Sequence, residues 1–367
     1  MTEPLPGHAL LRWYRRTRRD LPWRCTRDPY AVWLSEVMLQ QTTVAAVAPR
    51  WKRFLARFPT VSALARAPER EVLAEWAGLG YYARARNLRR AARAVVAAGA
   101  FPRSLEGWRA LPGVGPYTAA AVCSICFGVP AAAVDGNVAR VLTRIHGLRL
   151  DPKSSRGQAR LRAFAQAILA KRSPGDSNQA LMELGATICT PRAPRCRECP
   201  LLSCCEAKRL GMPEAFPRAT RRTAGETIRL VAGVTFRHGR VLLVEDSEMV
   251  RGHLMTPLFR LRAGRRPEDV LRREWEGVTG RKAKALERLG ALRHTVLDRR
   301  YLVDIFTLEE RASSPSLRRS PEECRRAPRA FSPPRIRFVR PGELSRHAHG
   351  GLLLKILGLL RERNASR

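Results

Sequence analysis

The chain has 367 residues, 45% of them hydrophobic, with 68 Lys or Arg against 32 Asp or Glu, a formal net charge of +36 and an isoelectric point near 11.5. That length predicts two or three domains, and the apolar content excludes a disordered chain. The charge argues against a small-molecule enzyme of acidic character and for a polyanionic partner, either nucleic acid or an anionic membrane surface.

Residues 8–205 read as mostly helical. Apolar residues recur at helical spacing through 49–58, 61–79, 86–98, 116–127, 138–146 and 159–169, with Pro/Gly breaks between. The longest uncharged run, 110–134, is long enough to cross a bilayer. It contains Pro112, Gly113, Gly115, Pro116, Gly128 and Pro130, however, and predicts a turn followed by a buried helix. Met1-Thr2-Glu3-Pro4 lacks the basic-then-apolar plan of a signal peptide, so the expectation is a soluble cytoplasmic chain with no membrane partner. The helical domain is placed at 1–206 and a polar, Pro-containing linker at 207–225.

After that, β-rich runs at 228–236 and 240–244 flank Arg237-His238-Gly239, a hairpin signature. A helix at 267–278 and strands at 286–293 and 300–308 complete a smaller α+β domain over 226–345. It includes a Ser/Pro/Arg-rich loop at 311–335 and is followed by a tail at 346–367 with a Leu-rich helix at 350–363. Charge does not single out one part. Residues 221–367 carry 33 cations against 17 anions, and residues 1–220 carry 35 against 15. Arginine supplies 61 of the 68 cations, as a GC-rich coding bias produces, but that bias accounts poorly for the shortage of acids.

Nine cysteines, an odd number, argue against a disulfide framework. Cys189, Cys196, Cys199 and Cys205 form C-x6-C-x2-C-x5-C, and four thiolates on a compact loop can wrap one zinc ion or a cubane cluster. Structural zinc usually takes two separated CxxC knuckles. Only Cys196/Cys199 forms one here, so the run favours a [4Fe-4S] cluster over zinc or a chance gathering of buried thiols. Cys204 beside Cys205 leaves the fourth ligand open on spacing alone.

Leu111-Pro112-Gly113-Val114-Gly115-Pro116-Tyr117-Thr118-Ala119 sets two glycines before a helix. Such a turn lets the backbone approach a phosphate, though alone it is more often just a tight turn. Downstream, Asp135 in Val134-Asp135-Gly136-Asn137-Val138 reads by itself as a helix N-cap. Glu36 in Trp33-Leu34-Ser35-Glu36-Val37-Met38 reads either as a solvated helix acid or as a carboxyl whose pKa an apolar setting raises.

Together these segments resemble a known family. The hairpin and the cysteine spacing are similar to those of the endonuclease III, or helix–hairpin–helix, DNA glycosylase superfamily. Leu21-Pro22-Trp23-Arg24, Asp28 through Thr42, and Gly78-Leu79-Gly80-Tyr81-Tyr82 closely resemble the adenine DNA glycosylase (MutY-type) family, over residues 8–206. The resemblance implies an enzyme that removes adenine mispaired with 8-oxoguanine or guanine in double-stranded DNA, acting as a monomer. In that reading Glu36 protonates N7 of adenine. Asp135 stabilises the oxocarbenium-like sugar or bonds to it before water arrives, and Asn137 and Tyr117 support the two carboxylates. Bifunctional members carry a lysine where Tyr117 stands, so a monofunctional hydrolase is expected. Gln41 and Tyr81 match residues that wedge into the duplex, while Gly113, Val114 and Gly115 match the phosphate-binding hairpin. Arg24, Gln179 and Glu183 match the adenine pocket or are ordinary helix residues. The resemblance also favours Cys205 over Cys204 as fourth ligand of a structural, DNA-facing cluster, with Arg192, Arg195 and Arg197 in its loop. The Arg84, Arg86, Arg89 and Arg90 segment is expected to meet phosphate as well.

Residues 226–310 resemble a Nudix-like domain that reads 8-oxoguanine. Arg273-Glu274-Trp275-Glu276-Gly277-Val278-Thr279-Gly280 keeps the Arg-Glu start of the Nudix box but has Gly277-Val278 in place of its paired glutamates, so recognition rather than pyrophosphate hydrolysis is expected. The lesion-reading strand departs from the family: it keeps Arg293-His294-Thr295 but has Val296-Leu297-Asp298 in place of the usual aromatic, hydroxyl and imidazole groups. Two other readings stay open: a related mismatch glycosylase acting on thymine or uracil, and a non-catalytic DNA-binding module.

Overall fold

The computed structural model describes residues 6–217, 226–247, 250–296, 299–312, 335–347 and 351–365. The second half of the expected linker, most of the 311–335 loop, Leu297, Asp298 and Cys324 lie outside these residues. Contacts divide the chain into two compact units: Met1–Ala67 with Ala83–Arg221, and Pro68–Tyr82 with Arg222–Arg367.

The first unit is helical. It contains α1 (Pro6–Thr17), α2 (Pro29–Leu39), α3 (Val44–Arg57) and α4 (Val61–Arg66). The chain passes through α5 (Glu69–Glu75), which belongs to the second unit, and returns with α6 (Ala83–Ala97) and α7 (Leu105–Arg109). It continues with α8 (Pro116–Phe127), α9 (Gly136–Ile145), α10 (Ser155–Ile168), α11 (Pro174–Thr187) and the short α12 (Glu206–Arg209). One helix expected over 61–79 is in fact two. Pro68 offers no N–H and its ring disfavours helical backbone at Ala67, so α4 stops at Arg66 and Pro68 becomes the residue ahead of α5. The helix expected from 49 begins five residues earlier, capped by the Thr43 hydroxyl on the Ala46 N–H, with Pro49 inside it.

Two helices set the site. α2 is apolar all round and buried from Tyr30 to Met38, and its start is fixed by the Asp28 carboxylate on the N–H groups of Tyr30 and Ala31 with Pro29 in the first turn. α9 is the opposite, a strongly one-sided helix. Its apolar face (Val138, Val141, Leu142) packs with Leu10 and Tyr14 of α1, Leu161 of α10, and Leu181 and Leu184 of α11. The uncharged 110–134 run becomes a turn, buried helix α8 and a loop, and among the described residues no helix is long and apolar enough to cross a membrane.

The second unit is α+β. It contains β1 (Thr227–Val234), β2 (Phe236–Arg237), β3 (Arg240–Ser247), β4 (Val250–Met255), β5 (Leu258–Arg260), α13 (Pro267–Thr279), β6 (Arg281–Val296), β7 (Arg299–Ala312), β8 (Arg335–Val339) and α14 (Gly351–Ala365). One sheet runs β5-β1-β7-β6, with β1 parallel to β7; the other runs β2-β3-β4, with β8 also paired to β3. The expected hairpin is present, since His238 and Gly239 both take positive φ between β2 and β3, as a tight two-residue turn requires. Trp275 of α13 lies in the apolar cluster with Val231, Leu242 and Phe306, over Gly233, where a Cβ would collide with the indole. The α14 residues Leu353, Ile356 and Leu357 belong to a second cluster with Leu230, Leu243 and Ile305. β4, β5 and β8 were not legible in the sequence, being short or set among arginines.

Candidate active site

A cleft of about 830 Å³ opens in the first unit. Glu36, in the last turns of α2, is 6% exposed because the helix that carries it is buried on every side. The Tyr117 hydroxyl, from the first turn of α8, donates to Glu36 Oε2 at 2.7 Å. Burial raises the Glu36 carboxyl to about 7; the Tyr117 hydrogen bond opposes this and the nearby Asp135 charge adds to it. Half the Glu36 side chains therefore hold a proton near neutrality. Tyr117 is itself pushed well upward by burial and by the two carboxylates, so it remains a donor.

Asp135 does cap α9, and the capping holds it in the cleft. Its Oδ1 accepts the Val138 N–H at 2.7 Å and its Oδ2 accepts the Asn137 amide at 3.2 Å. Burial raises its pKa, and these hydrogen bonds pull against that. Asn137 is fixed in turn by Arg140, which donates to its Oδ1 at 2.9 Å and to the Gly185 carbonyl at 2.7 Å. Gly185 lacks a side chain where α11 meets Asn137; a Cβ would come within 2.7 Å of the Asn137 Cβ.

The cleft is also lined by Glu183, 1% exposed, on α11. Arg19 reaches it with two guanidinium bonds at 2.8 and 2.7 Å, and Arg24 with one at 2.8 Å. Burial would raise this carboxyl, but the hydrogen bonds from Arg19 and Arg24 outweigh it and hold it at about 2. The cleft thus holds one carboxyl poised to give a proton and another locked as an anion. Gln41 and Gln179 also line it, and no lysine is among the residues lining it. The structure therefore brings Arg24, Glu36, Gln41, Tyr117, Asp135, Asn137, Gln179 and Glu183 to one cavity.

The other expected site residues lie elsewhere. Gly113, Val114 and Gly115 form the turn into α8. Gly113 has φ +77° and no room for a side chain, since a Cβ would meet the Asn87 Cβ at 2.5 Å, whereas a Cβ on Gly115 would stand in open space. Gln41 and Tyr81 are two of four described non-glycine residues with positive φ, at 57° and 49°. Such backbone is uncommon outside Gly, Asn and Asp and concentrates at functional positions. Two expected phosphate contacts are turned inward instead. Arg84 donates to the carbonyls of Val37, Met38 and Gln40 at the end of α2, and Arg89 to the Ala67 carbonyl. Both satisfy chain ends that would otherwise lack donors. In the second unit Arg293, His294 and Thr295 lie on β6, opposite Leu302, Tyr301 and Arg300.

Cys189, Cys196, Cys199 and Cys205 line one small apolar cavity beyond α9. Cys204 points elsewhere, its thiol donating to the Leu201 carbonyl at 3.4 Å. None of the eight described cysteines is in a disulfide. Among the described residues no group of three or more His, Cys, Asp or Glu side chains stands close enough together to hold a metal ion. Four thiols with no nitrogen or oxygen donor beside them are a ligand set that either zinc or an iron–sulfur group accepts. Arg144, 2% exposed, ties this loop down: it donates to the Thr190, Pro191 and Phe216 carbonyls and lies 3.3 Å from the Cys189 sulfur. Arg140 also donates to the Cys189 carbonyl at 2.8 Å. Of the loop arginines, Arg195 pairs with Glu198 at 2.9 Å, while Arg192 and Arg197 are exposed.

Arg19, Arg140 and Arg144 escaped the sequence reading. Arg144 left a signal, a charge three residues after Val141 on the apolar face of an amphipathic helix. Arg19 left none in the basic 15–19 run.

Residues 34–181 match the family model described as HhH-GPD superfamily base excision DNA repair protein. The chain is 48% identical over 211 residues to the adenine DNA glycosylase of Homo sapiens, which covers 54% of this chain and 39% of that protein. It is 43% identical over 233 residues to the adenine DNA glycosylase of Mycolicibacterium smegmatis, covering 61% of this chain and 76% of that one. Among solved structures, a thermostable thymine-DNA glycosylase is similar, with 32% identity and a TM-score of 0.52 over 56% of this chain and 95% of that chain. The chain spans about two-fifths of the length of the human relative it matches.

Proposed function

From a chain that belongs to the adenine DNA glycosylase family of HhH-GPD base excision repair proteins, we propose an enzyme that removes adenine paired with 8-oxoguanine or guanine in duplex DNA, by hydrolysing the N-glycosidic bond. The observation that carries this reading is the pairing of Glu36, raised to about 7, with Asp135 fixed across the same cleft.

The adenine enters the cleft extruded from the stack. Glu36 gives its proton to the base nitrogen as the C1′–N9 bond stretches, which makes adenine a viable leaving group. Tyr117 holds the Glu36 oxygen it touches, leaving the other oxygen for proton transfer. Asp135 faces the sugar as its positive charge grows, or bonds to C1′ until water displaces it, the two-carboxylate logic of a retaining glycosidase. Asn137 keeps that carboxylate in place. With tyrosine at position 117 and no lysine lining the cleft, no amine is available for a Schiff base, so strand cleavage is not part of the reaction. Gln41 and Tyr81 fill the space left in the duplex, and their strained backbone supports that role. Arg24, Gln179 and Glu183 bind the base.

Cys189, Cys196, Cys199 and Cys205 would hold a [4Fe-4S] cluster, which would tie the loop together and supply no step of the bond cleavage. The second unit, whose α13 gives Trp275 to its core and has Gly277-Val278 in place of paired glutamates, reads the opposite base rather than hydrolysing pyrophosphate.

Glu36→Gln and Asp135→Asn should each lower excision by several orders of magnitude while keeping affinity for a duplex containing A:8-oxoguanine. Turnover close to wild type in either variant would overturn the assignment.

A further inference from the structure

Asp135 is tied to α9 on one side, but the chain arrives at it through residues 128–135, which belong to no helix or strand. Such a segment has no ladder of backbone bonds, and its buried polar groups must find partners elsewhere. The carboxamides of Gln166 and Asn178 supply them. Gln166 of α10 accepts the Ala132 N–H at 3.1 Å and donates to the Pro130 carbonyl at 2.9 Å. Asn178 of α11 accepts the Ala133 N–H at 2.9 Å and donates to the Ala131 carbonyl at 2.8 Å.

This is the bonding pattern of a β-strand. In extended backbone the carbonyl of one residue and the N–H two residues on face the same side, and the next such pair faces the other. Pro130 and Ala132 face Gln166, while Ala131 and Ala133 face Asn178. Each carboxamide stands where a peptide group of a neighbouring strand would.

The two clamps differ in burial. Gln166 is exposed, so water can take its place. Asn178 and Ala133 are fully buried, and Ala131 nearly so. The Asn178 amide also donates to the Ser124 hydroxyl at 2.9 Å, and that hydroxyl donates onward to the Ala121 carbonyl at 3.0 Å. α11 comes this near α8 because Gly175 has no side chain: a Cβ there would stand 2.7 Å from the Ile125 Cα. Loss of the Asn178 amide would leave the Ala131 carbonyl and the Ala133 N–H buried and unpaired, so the strand must shift to find new partners. Ala133 precedes Asp135 by two residues, at most about 7 Å of chain, so the shift reaches the carboxylate.

We propose that Asn178, with Gln166 as its weaker outer counterpart, is a positioning residue for Asp135, setting where the carboxylate meets the positive charge that grows on the sugar. This role rests on Asp135 facing that charge. Asn178, being fully buried, touches no substrate and acts only through the backbone of 131–133.

The test uses the full-length protein and two duplexes with an abasic analogue opposite 8-oxoguanine. One analogue is a cationic pyrrolidine, which carries the charge of the transition state; the other is an uncharged tetrahydrofuran. The ratio of their affinities reads the placement of the Asp135 carboxylate, and a loss of folded protein lowers both alike. Asn178→Ala should cut the preference for the pyrrolidine about tenfold or more, and lower the single-turnover rate constant of adenine excision by a similar factor. Gln166→Ala should fold as the wild type does and cut the preference about two- to threefold. Gln158→Ala removes a carboxamide of the same helix that bonds the Pro152 carbonyl instead, and should leave the preference unchanged. Lower unfolding stability with an unchanged preference and rate constant in Asn178→Ala would overturn the proposal, since a merely structural residue behaves that way. So would equal losses in Gln166→Ala and Gln158→Ala. If Asn178→Ala does not fold, an unchanged preference in Gln166→Ala overturns it. Asp135→Asn separates this role from the reading of the cleft. A wild-type preference in Asp135→Asn would sink the assignment of Asp135 itself, whereas a preference lost there and kept in Asn178→Ala would sink only the positioning role.

Discussion

Replacing Glu36 with glutamine should remove activity and stabilise the fold. The carboxyl has an ordinary value of 4.5, and burial raises it to about 7 in the folded chain. The folded state therefore keeps a proton across a window in which the unfolded chain has released it. Stability from this group is complete below about pH 4.5 and is lost as the pH rises through 7. Once the side chain is ionised the cost is about 3 kcal/mol, from 1.36 kcal/mol for each pH unit between the two values. Glutamine keeps the shape and the acceptor for the Tyr117 hydroxyl but carries no charge to desolvate. At pH 8 the variant should unfold at higher urea, with a gain of about 1–3 kcal/mol, and at pH 5 the gain should shrink towards zero. The assay is urea unfolding followed by tryptophan fluorescence at both pH values. A variant less stable than wild type at pH 8, or a difference independent of pH, would refute the reasoning.

The same carboxyl governs rate. Single-turnover excision should fall about tenfold for each pH unit above 7, as Glu36 loses the proton it must give, and should fall again at low pH where Asp135, itself raised by burial, becomes neutral. A flat profile from pH 6 to 9 would contradict a general acid at this position. For the cysteine loop, Cys205→Ser should lose iron and the broad brown absorbance, while Cys204→Ser should keep both, because only Cys205 faces the cavity shared with Cys189, Cys196 and Cys199. Equal iron in the two variants would contradict that ligand set.

The elements best read in advance were those with a local cause. The turn and helix after Gly113, the hairpin at His238-Gly239 and the one-sided α9 all follow from glycine placement or apolar periodicity. The neighbours of Glu36 left two readings open, and its burial in α2 among Trp33, Leu34, Val37 and Met38 decides for the desolvated one. Long-range partners could not be read. Glu183 depends on Arg19, 164 residues away, and Asn137 on Arg140, which is held by a carbonyl of α11 that only packing brings near. Arginines were the hardest to assign. In so basic a chain nothing local distinguishes a guanidinium that meets phosphate from Arg84, which closes the end of α2, or Arg144, which braces the cysteine loop. The short strands β4, β5 and β8 were missed because their pairing, not their composition, makes them strands.

The central claim is that this cleft excises adenine and chooses it by its mispair. Single-turnover excision measured side by side on A:8-oxoguanine, A:G, T:G and U:G duplexes tests it most directly. The account predicts adenine release from the first two, with no strand nicking until heat or alkali is applied, and no release from T:G or U:G. Release of thymine or uracil with adenine left in place would contradict it and would move the chain towards the chemistry named for its thymine-DNA glycosylase neighbour.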